Sequence, residues 1–371
     1  MGGAAIADMM LYIESAKGLF HKIIMQSGTS WQSMYFGGQA KKRAKALAET
    51  LEWSAPSSSM LINYLKKVSA ADICAAEDKS VHADEARSVQ KGIAPFIPIV
   101  EHEYDEALIT KMPEESNIDI DIPIMIGYNS REILDMGSRY LHKPQYLTFA
   151  DRDFLMMLPI RTGFNLQIND NIYFEAIQEV RDFYFDEGYV KTKKPGEYLT
   201  YLGDGMVTYP IDYTVRQYVN KSKAPVYYYT FDYSGEWNWR KIENLQSAVS
   251  FDGTWGASAT DDLSYLFIYN KERSAYRAAV LDKGESEELA VLKNMIRLRT
   301  NFAKYGNPTP EGDEFIWKPA TKENKECLVI TEELEMRNNL HEDRMKFWDD
   351  FIEKYRAKAI DGVVYDVKEE L

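Results

Sequence analysis

The sequence predicts an α/β fold with a mostly parallel central sheet, because apolar strands are separated by helices along the chain. The segment His21–Gln26 is nearly all apolar, which is typical of a strand buried on both faces of a parallel sheet. A second apolar strand is predicted for Asp119–Ile126, and a third, aromatic and β-branched, for Pro225–Asp232. Strands that alternate with helices in this way indicate an α/β architecture.

Three helices carry the clearest signals. An apolar helix is predicted from Gly3 to about Glu14. Ser286 can cap a long helix that Gly306 stops, and a last helix runs from about His341 to Tyr355. On the two later helices, one face is apolar and is predicted to be core: Leu289, Leu292, Met295, Ile296 and Phe302, then Met345, Trp348, Phe351, Ile352 and Tyr355.

Bulk composition limits the possible classes of protein. The chain has 371 residues, of which 45% are hydrophobic, and no linker rich in Pro, Gly or Ser divides it. We therefore expect one domain over residues 1–355, followed by an acidic tail over residues 356–371. The formal net charge of −14 argues against nucleic acid or an anionic membrane as partner. No run of about 18 apolar residues is present to span a bilayer.

No metal or other cofactor is predicted. Cys74 and Cys327 have no metal-ligand spacing, and they are either two buried apolar side chains or one disulfide. The five histidines form no local cluster, which argues against a zinc site.

Three segments lie where an α/β sheet places its chemistry, at sharp turns beyond the carboxyl ends of strands. Gly2 and Gly3 open an apolar helix, as in the rear half of a nucleophile elbow, where the tight turn leaves no room for side chains. The second segment, Gly127–Glu132, places an acid just past a buried strand. The third, Gly256–Phe267, is a glycine-led loop that enters a helix.

In identity and order these segments resemble the type-B carboxylesterase and cholinesterase family, particularly its insect esterases. That family has a Gly-Glu-Ser-Ala-Gly-Gly elbow, an acid in Gly-x-Asn-x-x-Glu, and a histidine in Gly-x-x-His-x-x-Asp/Glu-Leu-x-Tyr-Leu-Phe. Lys17–Gly28, Asn301–Pro310 and Trp317–Pro319 match as well, so the resemblance runs from Gly2 to about Tyr355. It implies an α/β-hydrolase fold whose N-terminal strands are missing here. It also implies a family activity: carboxylic ester hydrolysis by a Ser-His-Glu triad without cofactor or metal.

Carried over residue by residue, the resemblance leaves one triad member. Glu132 matches the acid, followed by Ile133 where the family usually has Gly. Ala259 stands at the histidine position, and a methyl group neither takes nor delivers a proton. His341 is downstream and is expected to be a solvated or capping residue. The serine position would lie just before Met1, with the glycine-rich oxyanion loop further upstream, and no Gly-x-Ser-x-Gly occurs in the chain.

The chain is therefore predicted to be an inactive, truncated pseudoenzyme of this family. A start placed at an internal methionine and the decay of a duplicated gene are alternative origins. Ala259 is independent evidence of decay, and we expect both to apply. The alternative functions are a non-catalytic ligand-binding or sequestering protein, an adhesion-type homologue, or a product without function. A small hydrophobic ester is the expected ligand, if any.

The C-terminus suggests a compartment. Lys368-Glu369-Glu370-Leu371 resembles an endoplasmic-reticulum retention signal, and Asn220-Lys221-Ser222 is a glycosylation sequon. Residency in the lumen would require a signal peptide in the full-length product, and the first residues of this chain lack the layout of one.

Overall fold

A five-stranded sheet forms the centre of the computed structural model, which describes residues 1–37, 40–54, 56–81, 94–116, 121–281 and 286–365. Its strand order is β1-β2-β4-β5-β6; the first four strands are parallel and β6 is antiparallel. The prediction of a mostly parallel sheet is confirmed. The strands are β1 Ile23–Gln26, β2 Ile124–Asn129, β4 Val226–Phe231, β5 Cys327–Ile330 and β6 Leu334–Arg337, with β3 Asn165–Leu166, β7 Ala359–Ile360 and β8 Val363–Val364 in a second sheet.

The three predicted strands are β1, β2 and β4. The second runs three residues further than the predicted Ile126, to Asn129, and the predicted residues 119 and 120 lie outside the described part. Gln26, Gly127 and Tyr229 stand side by side in register near the carboxyl ends of these strands. A Cβ on Gly127 would approach the Tyr229 carbonyl oxygen to 2.2 Å, so only glycine fits at the middle of this row.

Helices cover both faces of the sheet. Their bounds are α1 Gly2–Met9, α2 Ala40–Thr50, α3 Ser58–Leu65, α4 Ala70–Glu77, α5 Leu134–His142, α6 Tyr146–Arg152, α7 Asn171–Tyr184, α8 Pro195–Gly203, α9 Tyr209–Lys221, α10 Trp239–Leu245, α11 Arg273–Leu281, α12 Glu287–Tyr305 and α13 Glu342–Ala357. A π-helical turn, Asp204–Thr208, joins α8 to α9. Buried side chains of α1, α9 and α13 pack in one core cluster, and those of α12 pack in a second cluster on the other face.

The long helix α12 begins and ends as predicted. The Ser286 side chain accepts a hydrogen bond from the Leu289 backbone N–H, and Gly306 ends the helix in the left-handed conformation at φ 72°. The prediction for α1 is wrong beyond Met9, where the chain continues in short 3₁₀ turns. Ile13 takes an extended conformation (φ −95°, ψ 114°), which interrupts the helical hydrogen bonds before Glu14.

The predicted core stripes are confirmed with one exception. Ile296 is 40% exposed, whereas the other residues of both stripes are buried. The buried face of α12 is instead completed by Leu298 and Arg299. An arginine in this position was not predicted, because periodicity assigns charged residues to the solvent face.

Other elements were not predicted. The strands β5 and β6 form a hairpin that adds an antiparallel edge to the sheet. Within the segment 356–371, β7 and β8 pair with each other, and β8 pairs with β3. The expected division of the chain at residue 355 stays a prediction.

The two cysteines are both free: Cys327 is buried, and Cys74 is exposed, contrary to the expectation that both are buried. Within the described ranges, no helix is both long enough and apolar enough to cross a bilayer. In the same ranges, no three His, Cys, Asp or Glu side chains are grouped as a metal site requires.

We expect Gly127→Ala to lower the free energy of unfolding by about 3 kcal/mol, because the added methyl overlaps the backbone of β4. A Cβ at Gly3, in contrast, meets no heavy atom within 4 Å. The control Gly3→Ala should therefore be neutral or slightly stabilising. Urea denaturation midpoints measure both effects. Equal midpoints for the two variants would show that the close approach at Gly127 is not a real constraint.

Candidate functional site

The loops that carry Glu132 and Ala259 are joined at the carboxyl edge of the sheet. The Arg131 backbone N–H donates to the Ala257 carbonyl at 2.8 Å, and the Ala257 N–H donates to the Ser130 hydroxyl at 3.1 Å. Gly256 makes this approach possible: it has φ 71°, and a Cβ there would lie 2.1 Å from the Ser130 hydroxyl. Two segments far apart in sequence are thereby brought to one place.

Glu132 is 4% exposed and is held through one of its two carboxylate oxygens. Its Oε1 accepts hydrogen bonds from the Ser27 hydroxyl, the Asn129 N–H (2.8 Å) and the Asn129 side-chain amide (3.0 Å). Its Oε2 is buried and has no hydrogen-bond partner among the described residues. The network therefore fixes the carboxylate and leaves one oxygen free to receive a donor.

Burial raises the pKa of Glu132 to about 7, although the hydrogen bonds from Ser27 and Asn129 oppose the shift. The carboxylate of Asp262 is close enough to raise this pKa further. Near neutral pH, Glu132 therefore exists as a mixture of the neutral acid and the carboxylate.

Asp262 ties the third segment to the ends of β1 and β2. Its Oδ2 accepts from the Gln26 side-chain amide at 2.6 Å, and its Oδ1 accepts from the Asn129 amide at 3.1 Å. Asn129 therefore bridges the two carboxylates. The supporting roles of Gln26, Ser27 and Asn129 were not predicted. The sequence feature that could have identified them is that each is a polar residue at the end of an apolar strand.

Ala259 is 5% exposed in the loop that leads into the 3₁₀ helix Asp261–Tyr265. The next residue, Thr260, has a left-handed φ of 72°. Asp261 stabilises the turn by accepting a hydrogen bond from the Ser258 N–H at 2.7 Å. The loop is thus well formed around a residue that has no proton-transfer group.

Two of the described histidines are partly buried. His142 is engaged with the Asn244 carbonyl at 2.6 Å. His341, expected to be solvated or capping, stands at the N-cap position of α13, is partly buried and makes no side-chain capping hydrogen bond. Burial and the neighbouring cations, Arg344 first among them, lower the pKa of His341 to about 3. His82 lies outside the described residues.

Gly2 and Gly3 form the first turn of α1, at the same edge of the sheet. The Met1 carbonyl accepts from the N–H groups of Ala4 (3.0 Å) and Ala5 (3.1 Å). A Cβ on Gly28 would lie 2.1 Å from the Met1 carbonyl oxygen, so the start of α1 packs directly on the turn that follows β1. All three segments identified in the sequence therefore meet here.

Aromatic side chains flank the Ala259 loop. Trp255 is 55% exposed, and the Arg131 guanidinium lies 4.9 Å from its ring centroid. Phe251 and Phe267, on either side of the loop in sequence, are exposed as well, whereas Tyr265 is fully buried. The edge thus offers apolar surface beside the buried acid.

Comparison with known proteins identifies relatives. Residues 1–348 match the model described as "Carboxylesterase family". Esterase E4 of Myzus persicae is 24% identical over 86% of this chain and 55% of its own length. Juvenile hormone esterase of Tribolium castaneum is 25% identical over 89% of this chain and 56% of its own length. Carboxylesterase 5A of Felis catus is 24% identical over 93% of this chain and 57% of its own length. The chain spans a little over half the length of these relatives.

The position of Glu132 predicts a pH-dependent stability. Its pKa in the folded state lies above the ordinary 4.5, so its contribution to stability is present below pH 4.5 and is lost as pH rises toward about 7. We expect Glu132→Gln to remove that part of the loss, which amounts to roughly 3 kcal/mol at most. Urea unfolding between pH 4.5 and 8 measures it.

Asp8, Asp204 and Asp261 also have pKa values raised by burial. These three groups are present in the wild type and in Glu132→Gln alike. The difference between the two pH profiles therefore reports the contribution of Glu132 alone. The exposed Glu49, changed to Gln, is the matched control. Parallel pH profiles for wild type and Glu132→Gln would contradict the prediction.

Proposed function

The chain belongs to the carboxylesterase family, and we propose that it is a non-hydrolytic member that binds small hydrophobic esters without cleaving them. The observation that carries this proposal is Ala259, at the position where the family pattern has histidine. Glu132 is proposed to be the retained acid. It keeps a buried, oriented carboxylate whose second oxygen has no donor among the described residues.

The chemistry of the family explains why this substitution matters. In a serine hydrolase, histidine takes the proton of the attacking hydroxyl and returns it to the leaving group, while the acid orients and stabilises the imidazolium. Loss of the histidine alone lowers kcat by roughly six powers of ten in subtilisin. Ala259 lies inside the chain, so this argument does not depend on any residues that precede Met1.

Binding is supported by the surface beside the site. Trp255, Phe251 and Phe267 present exposed aromatic surface next to the Ala259 loop. Exposed aromatic rings of this kind suit the apolar acyl or alcohol group of an ester. Without a base, the ester linkage would remain intact and the ligand would be released unchanged.

We expect no turnover of a p-nitrophenyl ester by the wild type, because Ala259 supplies no base to take the proton of an attacking hydroxyl. Equilibrium dialysis should nevertheless show ester binding that Trp255→Ala weakens. Trp239→Ala, on helix α10, is the control and should bind like the wild type. Ester turnover, or labelling of a serine by an organophosphate in stoichiometric amount, would overturn the absence of catalysis; equal binding by both tryptophan variants would overturn the binding surface.

The proposal extends to the endoplasmic-reticulum lumen, for a full-length product with a signal peptide. Lys368–Leu371 lies outside the described residues. The sequon supports the proposal, since Asn220 is exposed near the end of α9 and is accessible to a glycosyl transferase.

In secretory cells we expect Ser222→Ala to abolish a mobility shift produced by endoglycosidase H. Ser222→Thr should keep the shift, because threonine also completes the sequon. Deletion of residues 368–371 should move the protein from the cell lysate to the medium. A protein that carries no glycan, or that remains in the cell after the deletion, would contradict this localisation.

A further inference from the structure

A buried arginine lies on the face of the sheet that α12 covers. Arg299 is 7% exposed, and its Nη1 donates to the Met295 sulfur at 3.0 Å. Its Nε and Nη2 are buried without an acceptor, and it forms no ion pair within the described part of the chain. A guanidinium is always charged, and burying it without a counter-charge is costly.

Two further donors adjoin this guanidinium. The Tyr229 ring centroid lies 5.0 Å from Arg299 Cζ, and the Trp317 ring lies 6.2 Å from that of Tyr229, edge to face. The Trp317 indole nitrogen is also buried without a hydrogen-bond partner among the described residues. The Tyr229 hydroxyl is buried, and Arg299 is close enough to act on it as a hydrogen-bond donor. Arg299 and Trp317, which both lie against the Tyr229 ring, thus present buried N–H groups that lack an acceptor within the described part of the chain.

The carboxylate of Asp262 does not supply a hydrogen-bond acceptor to this cluster. Burial raises the pKa of Tyr229, Arg299 opposes the shift, and Asp262 adds to it. Each oxygen of Asp262, however, already accepts a hydrogen bond, from Gln26 and from Asn129. The Tyr229 phenol stays protonated and is a donor, as Arg299 and Trp317 are.

We propose that Arg299, Tyr229 and Trp317 form a binding site for a small monovalent anion, either a halide or a carboxylate. Such an anion would accept from several of these donors at once and would neutralise the guanidinium, whereas a water molecule supplies no charge. Trp317 and Tyr229 supply neutral donors on an apolar wall, which favours a weakly hydrated anion over a phosphate.

A groove of about 310 Å³ opens nearby, lined by His21, Lys22, Ile24, Phe302 and Ala303. Phe302 and Ala303 follow Arg299 by three and four residues, so they lie on the same face of α12. Lys22 adds a positive charge at this groove.

Chloride binding by the full chain can be measured from the line width of ³⁵Cl NMR, which increases when chloride exchanges with a protein site. The variant Arg299→Met keeps the length of the side chain and removes its charge, and it should weaken binding more than about tenfold. Tyr229→Phe removes one neutral donor and should weaken binding about fivefold. Arg297→Met is the matched control on the same helix, because Arg297 is paired with Asp313.

The proposal is supported if wild type and Arg297→Met broaden the signal and Arg299→Met does not. Displacement by acetate would identify a carboxylate as an occupant; resistance to acetate would identify a halide-selective site. Equal broadening by wild type and Arg299→Met would overturn the proposal. Soaking crystals of the wild type in bromide tests the site without relying on the folding of any variant. An anomalous peak in contact with Arg299 would support the site, and peaks confined to the surface would refute it.

Discussion

The hydrogen bonds that Asn129 makes to two buried carboxylates hold the carboxyl edge of the sheet together. Its amide donates to Glu132 and to Asp262, and through them it connects the loop after β2 with the loop that carries Ala259. Buried carboxylates require donors, and the ends of β1 and β2 supply them through Gln26, Ser27 and Asn129. The geometry of the candidate site is therefore a consequence of strand register.

The amino-acid sequence was sufficient for the strands and helices whose apolar patterns are long. It was insufficient for β5, because Cys327–Ile330 is too short an apolar run to distinguish strand from helix. The early end of α1 depends on the extended backbone at Ile13, which no local sequence pattern predicts. At the site, the motif order singled out three segments, and the structure places those segments together. The Asn129 donors to Glu132 are only three residues away, but the Ser27 donor is 105 residues away, a contact that a linear pattern does not contain.

The hydrogen-bond network around Glu132 is complete at one carboxylate oxygen and absent, among the described residues, at the other. Three donors converge on Oε1, so the side chain is held in place whatever occupies position 259. A cation beside Oε2 would stabilise the ionised form; without one among the described residues, burial dominates and raises the pKa to about 7. A carboxyl group that can take up a proton is tolerated in the core, so the fold accommodates Glu132 without a charged partner at Oε2.

Tyr229 links the carboxyl edge of the sheet, which carries Glu132 and Asp262, to the cluster formed by Arg299, Tyr229 and Trp317. Burial raises the pKa of Tyr229; Arg299 opposes the rise, whereas Asp262 and Glu132 add to it, so this one side chain is affected by the charges of both regions. Gly127 lets the Tyr229 ring lie against β2, between them. Tyr229 is therefore the side chain whose electrostatic environment depends on the charges of both regions.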